Sequence, residues 1–162
     1  MRRALTILTV VTALVAAGCG GGGDGNGNGK ALSKAEYGKR MAATGQTLQK
    51  AFADIGDQTG AKSTPKQVGD RLDRGATAVD TAVKQYSALT APAAAKPAHA
   101  KLVAGLHELA TELRKSATAA RKNDAKGLNA GLQGLTTGDG IKKITEAQKE
   151  LTAQGIKVTP SS

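Results

Sequence analysis

Two histidines, one cysteine and an excess of cations are the chemistry-bearing residues of this 162-residue chain. His99 and His107 share one segment but stand more than two helical turns apart. Chelation from a single helix needs ligands three or four positions apart on one face. Glu108 and Glu112 lie near them and read as exposed partners for Arg and Lys, so neither a metal nor a cofactor is expected. The carboxylate pairs Asp54/Asp57 and Asp70/Asp73 fall at helix ends or starts, where solvated charge is the default. No G-x-S-x-G, no H-E-x-x-H and no S-x-x-K with its companion motifs occurs, so no nucleophile meets a base and no enzyme is expected. The Gly-rich run at 20–29 lacks the G-K-[ST] ending of a phosphate loop and follows no strand.

The cations carry more information. Lys and Arg number 23 against 13 Asp and Glu, a net charge of +10. Such a balance suits anionic polymers, membranes or nucleic acid. Only Tyr37, Phe52 and Tyr86 are aromatic. Stacking platforms for bases are therefore scarce, and nucleic acid is not the expected partner.

Cys19 has no second cysteine to pair with. In an exported chain a leftover cysteine signals an intermolecular bond, a free thiol or a modification. What precedes it is an export pattern: basic Met1-Arg2-Arg3, an apolar run from Ala4 to Ala17, then small residues. The apolar run is shorter than the roughly 20 residues a spanning helix needs. Ala16-Ala17-Gly18-Cys19 resembles the lipobox of bacterial lipoproteins, with Ala16 where that family more often has Leu. The resemblance implies S-diacylglycerol on the Cys19 sulfur, removal of residues 1–18 and N-acylation of the new terminus. Each buried CH₂ adds about 0.8 kcal/mol, so several chains anchor stably. Loss of Arg2 and Arg3 leaves the remainder clearly basic. Residues 19–31, with GGGGDGNGNG after the cysteine, read as a flexible tether.

The elements that must position these residues are helical, because the apolar residues are mostly Ala, Leu and Val at helical spacing. Ser33 and Glu36 make a capping box with Leu32 and Tyr37 as its staple, predicting a helix over 33–55. Thr64, Pro65 and Gln67 open a second, over 65–89. Pro92 and Pro97 break the chain before a third, over 97–122, whose seam runs His99, Leu102, Leu106, Leu109, Leu113. Asn123-Asp124 ends it and caps a fourth, over 125–153, kinked at Gly138-Asp139-Gly140; two shorter helices are the alternative. The expected fold is an all-α, antiparallel up-and-down four-helix bundle over 32–154, with a loose tail at 155–162. Gly38, Gly45, Gly69, Gly75, Gly105, Gly127, Gly131 and Gly134 all fall inside helices. Each costs about 1 kcal/mol relative to Ala. Either the helices approach closely there or the bundle is marginal.

In such a bundle one pole gathers Lys50, Lys62, Lys66, Arg71, Arg114, Lys115, Arg121, Lys122 and Lys126, opposite the entry of the tether. The polyanion-contact candidates are Arg114, Lys115, Arg121, Lys122 and Lys126; the alternative is ordinary solubility, with cations complementing a helix end. The stretches "LSKAEY" and "LTAPAAAKPAHAKLVAGLHELATELRK" resemble small alanine-rich helical lipoproteins of actinobacteria, which implies fold and address alone. The expected function is a lipid-anchored, extracytoplasmic binding or structural module, held by the membrane and facing anionic envelope polymers. The alternative is a small-ligand or metal carrier using the interior near Tyr37, Tyr86, His99 and His107.

Overall fold

Helices begin where the sequence places their caps. In the computed structural model, which describes residues 31–56 and 63–157, α1 spans Lys34–Gly56, α2 Pro65–Ser87 and α3 Lys96–Arg121. Two further helices, α4 (Ala125–Thr137) and α5 (Asp139–Ala153), follow. Thr64 Oγ1 accepts from Gln67 N and the Gln67 side chain accepts from Thr64 N, closing both halves of the capping box. At α1 only one half forms. Ser33 Oγ accepts from Glu36 N at 3.2 Å, while the Glu36 carboxylate turns to Arg40 one turn on. A single 3₁₀ turn, Ala93–Ala95, leads from Pro92 into α3. Asn123, with φ 54°, reverses the chain, and Asp124 Oδ1 accepts from Gly127 N to start α4.

The architecture is an all-α helical bundle. Its centre is α3, which packs on α2 along one side and on α4 and α5 along the other, while α1 lies along α2. Consecutive legs run antiparallel: Leu32 N donates to Thr90 O at one end, and Gly69 faces Ala117 and Arg121 at the other. The fourth leg is two helices rather than one kinked helix. Gly138 adopts an extended ψ of 169°, so helical bonding stops there and restarts from Asp139.

The core is slim, as expected from so few large side chains. Val79, Val83 and Tyr86 of α2 meet Leu102, Leu106 and Leu113 of α3, with Ala76, Ala82, Ala98 and Ala110 between them. Tyr37 and Met41 of α1 and Leu151 of α5 belong to the same buried cluster. Two of the interior glycines mark close backbone approaches on α3. A Cβ on Gly69 would lie 2.9 Å from Ala117 O, and one on Gly105 would lie 2.7 Å from Gly140 O. Small residues let backbones touch, and dispersion from that contact offsets the helix-propensity cost.

The expected loose tail needs correction over its first residues. Gly155 (φ 75°) turns the chain, Ile156 N donates to Leu151 O at 3.0 Å, and the Ile156 side chain is only 1% exposed. It packs beside Gly38 of α1. Burying an isoleucine contributes about 1.5–3 kcal/mol, so this segment belongs to the domain. Residues 158–162 lie outside the described residues, as do the signal, Cys19, most of the tether and Lys62.

Candidate functional site

The cations expected at one end separate into committed and uncommitted groups. Arg71 is buried on α2, and its polar surface is not presented to solvent. Arg121 bridges Asp70 and Asp73 of α2, which raises its pKa, and hydrogen bonds from Lys66 first and Arg121 second lower that of Asp70. Arg121 is exposed, but its guanidinium is shared with these two carboxylates of α2. Lys66 pairs with Asp70 one turn away. Lys50, Lys122 and Lys126 are exposed and make no ion pair with any described residue.

Three of the remaining candidates converge. An open groove of about 650 Å³ runs between α3 and α4, with Arg114, Lys115, Thr118 and Lys122 on its α3 wall. Ala119, Gly127, Ala130 and Gly131 form a floor of small residues. The groove exists because α4 lies close on α3 through glycine: Gly131 sits against Ser116 and Gly134 against the Glu112 side chain. Arg114 ion-pairs with Asp80 of α2, and Lys115 with Glu112 at 2.7 Å. Asp124 also lines the groove, with one carboxylate oxygen committed to the α4 cap. Thr111 and Thr118 donate their hydroxyl protons to His107 O and Arg114 O, so they offer an incoming group only lone pairs. Attraction for an anion falls to the ammonium and guanidinium groups. Lys126 stands in the first turn of α4, next to the floor residue Gly127.

The carrier residues do not form a comparable site. Tyr37 is fully buried and its hydroxyl lies 2.7 Å from His99 Nδ1, with the rings edge to face at 5.8 Å. Tyr86 Oη donates to Met41 O at 3.3 Å. Burial pushes both phenols up to about 12 and lowers the His99 pKa. These groups tie α1 to α2 and α3. His107 is exposed elsewhere on α3. No group of three or more His, Cys, Asp or Glu side chains among the described residues could hold a metal ion. A second cleft, of about 350 Å³, holds Glu108, Glu112 and Asp139, each already ion-paired with a lysine.

Arg114, Lys115, Arg121, Lys122 and Lys126 are all exposed, at the end of α3 and the start of α4. Sequence reasoning missed the groove floor. The signal was present in Ala119, Gly127, Ala130 and Gly131, whose spacing puts small residues on two facing helices. Among the described residues no helix is long and apolar enough to cross a membrane. Comparison with known protein families, curated proteins and solved structures finds no match.

Proposed function

We propose that this protein is a lipid-anchored, extracytoplasmic helical-bundle module that binds at the cell envelope. The observation that carries the reading is the run from Met1 to Gly29: basic start, apolar stretch, Ala16-Ala17-Gly18-Cys19, then a glycine-rich leash. The geometry adds a direction. The chain enters the bundle at the start of α1, beside His99 near the start of α3. The α3 groove begins at Thr111 and reaches Lys122, roughly 18–35 Å further along the helix axis at 1.5 Å per residue. Lys122 and Lys126 stand at the end away from the tether, while Lys39, Lys84 and Lys96, also exposed, stand at the tether's end.

Cys19→Ser tests the anchor. The wild-type chain is expected in the membrane fraction, labelled by fatty acid and lacking residues 1–18. The variant is expected unprocessed or released, without label. Unchanged retention, cleavage and labelling in the variant would reject the lipoprotein reading.

A further inference from the structure

We propose that the end of the bundle where the chain enters is a docking face for the anionic headgroups of a lipid bilayer. The proposal rests on the lipid-anchor reading above and names the surface that meets the membrane.

Four segments come together at this end. Leu32 N donates to Thr90 O just after α2, Lys34 Nζ donates to Gln154 O just after α5, and the Tyr37 hydroxyl meets His99 near the start of α3. They carry Lys34 and Lys39 on α1, Lys84 on α2, Lys96 on α3, Lys149 on α5 and Lys157 just beyond it, all exposed. No carboxylate of the described residues pairs with any of these lysines. Lys34 donates to a carbonyl, which leaves its charge unneutralised. The carboxylates here are Glu36, Glu146 and Glu150, and each already has a cation: Arg40 for the first, Lys101 for the other two. The face keeps a net positive field. Towards the other end carboxylates hold more of the cations, with Lys66 on Asp70, Arg121 on Asp70 and Asp73, and Arg114 on Asp80.

Two features select a bilayer as the occupant. The first is position. Cys19 and Lys34 are about 15 residues apart, and a glycine-rich coil of that length spans roughly 20 Å. A charged surface acts over a Debye length, about 10 Å at 0.1 M salt. An anchor at Cys19 therefore keeps this end within reach of headgroups, whereas Lys122 stands about 39 Å along the α3 axis from Lys96. The second is layout. The lysines are spread over four segments and not along one line, so a plane of charge engages more of them than a single strand does. Among the described residues the exposed large hydrophobic is Leu132, on α4, so this end brings no large apolar side chain to insert. Docking is electrostatic, and salt must reverse it.

The test reconstitutes the full chain from detergent into vesicles of phosphatidylcholine alone or with an equal part of phosphatidylglycerol. A water-soluble amine acylating reagent is applied at single-hit dose, and each lysine's labelling is read by mass spectrometry. Lys39, Lys84, Lys96 and Lys149 should label more slowly on the anionic vesicles, and high salt should remove the difference. Lys122 and Lys126 are the internal reference and should label alike on both. Lys39→Gln, Lys84→Gln and Lys96→Gln should each lower the docked-to-free ratio about fivefold, and the three together should abolish the protection left at Lys149. Lys34 stays in place, because its bond to Gln154 O ties α1 to the turn after α5. Equal protection of both ends, equal protection on neutral vesicles, protection that survives high salt, or an unaffected Lys149 in the triple variant would each overturn the docking face. So would equal protection by long-chain polyphosphate beside neutral vesicles, which would assign the lysines to a soluble polymer. The same spectra give the mass of the Cys19 peptide. An unmodified Cys19 would sink the anchor, while the lysine pattern on the vesicles would still decide whether this end meets lipid.

Discussion

Gly105 and Gly140 meet backbone to backbone across α3 and α5. A Cβ on Gly105 would stand 2.7 Å from Gly140 O, and one on Gly140 would stand 2.9 Å from Gly105 O. Neither neighbour is a flexible side chain that could swing aside. Gly105→Ala or Gly140→Ala must push the two helices apart, and overpacking of this kind costs about 1–3 kcal/mol. A lower urea midpoint at unchanged denaturant slope is the expected result. An unchanged midpoint would mean the two helices are not in contact there.

Gly45 makes the opposite case. It lies inside α1, and a Cβ there would meet only the Tyr86 hydroxyl, at an ordinary 3.6 Å. Alanine removes unfolded-state freedom without a clash. Gly45→Ala should therefore raise stability by about 0.4–1 kcal/mol. A thermal or urea midpoint that falls would show that α1 lies closer to α2 than this geometry places it.

These two glycines mark where the sequence was legible and where it was not. Caps and seams are local, so Thr64-Gln67, Asp124 and the Leu102–Leu113 stripe announced their helices correctly. A glycine's role depends on what stands opposite it, and Gly45 and Gly105 look alike in one dimension. Gly138 was ambiguous for the same reason. A kink and a break use the same residues, and the extended ψ that separates them depends on where α5 docks on Gly105 and Glu108. The basic end was readable as composition. Its division was not, because whether Arg121 is free depends on Asp70 and Asp73 arriving from α2. Ile156 lacks helical periodicity around it, so its burial against Gly38 left no local sign.

The two buried phenols predict an alkaline limit. Burial lifts Tyr37 and Tyr86 from 10.0 to about 12, with the Tyr86 charge adding to the effect at Tyr37. Below pH 10 both hydroxyls keep their protons, folded or unfolded. Above it the unfolded chain ionises first and gains free energy that the folded chain does not. Stability should hold up to about pH 10 and fall towards about 12. Tyr86→Phe should flatten part of that fall. It should also lose about 0.5–1.5 kcal/mol at neutral pH through the missing bond to Met41 O. Absorbance of tyrosinate in the folded protein, rising near pH 10, would contradict the burial argument.

His99 sets the acid side. Its Nδ1 lies 2.7 Å from the Tyr37 hydroxyl, and burial lowers its pKa from 6.5. The neutral ring with its proton on Nε2 suits this contact, since the Tyr37 hydroxyl then donates and Nδ1 accepts. A doubly protonated ring would leave the Tyr37 hydroxyl proton without its acceptor, inside a core where Tyr37 has no exposed surface. Above pH 6.5 the ring is neutral in both states and the full stability is present. As pH falls below 6.5 the unfolded chain takes up a proton first, so stability declines until the lower folded pKa is passed. His99→Gln removes the titrating group while keeping an acceptor within reach of Tyr37. The difference in unfolding free energy between wild type and variant, followed downwards from pH 6.5, should therefore move steadily in the variant's favour. A difference that stays constant over that interval would mean His99 titrates alike in the folded and unfolded chains, and that its bond to Tyr37 does not depend on charge.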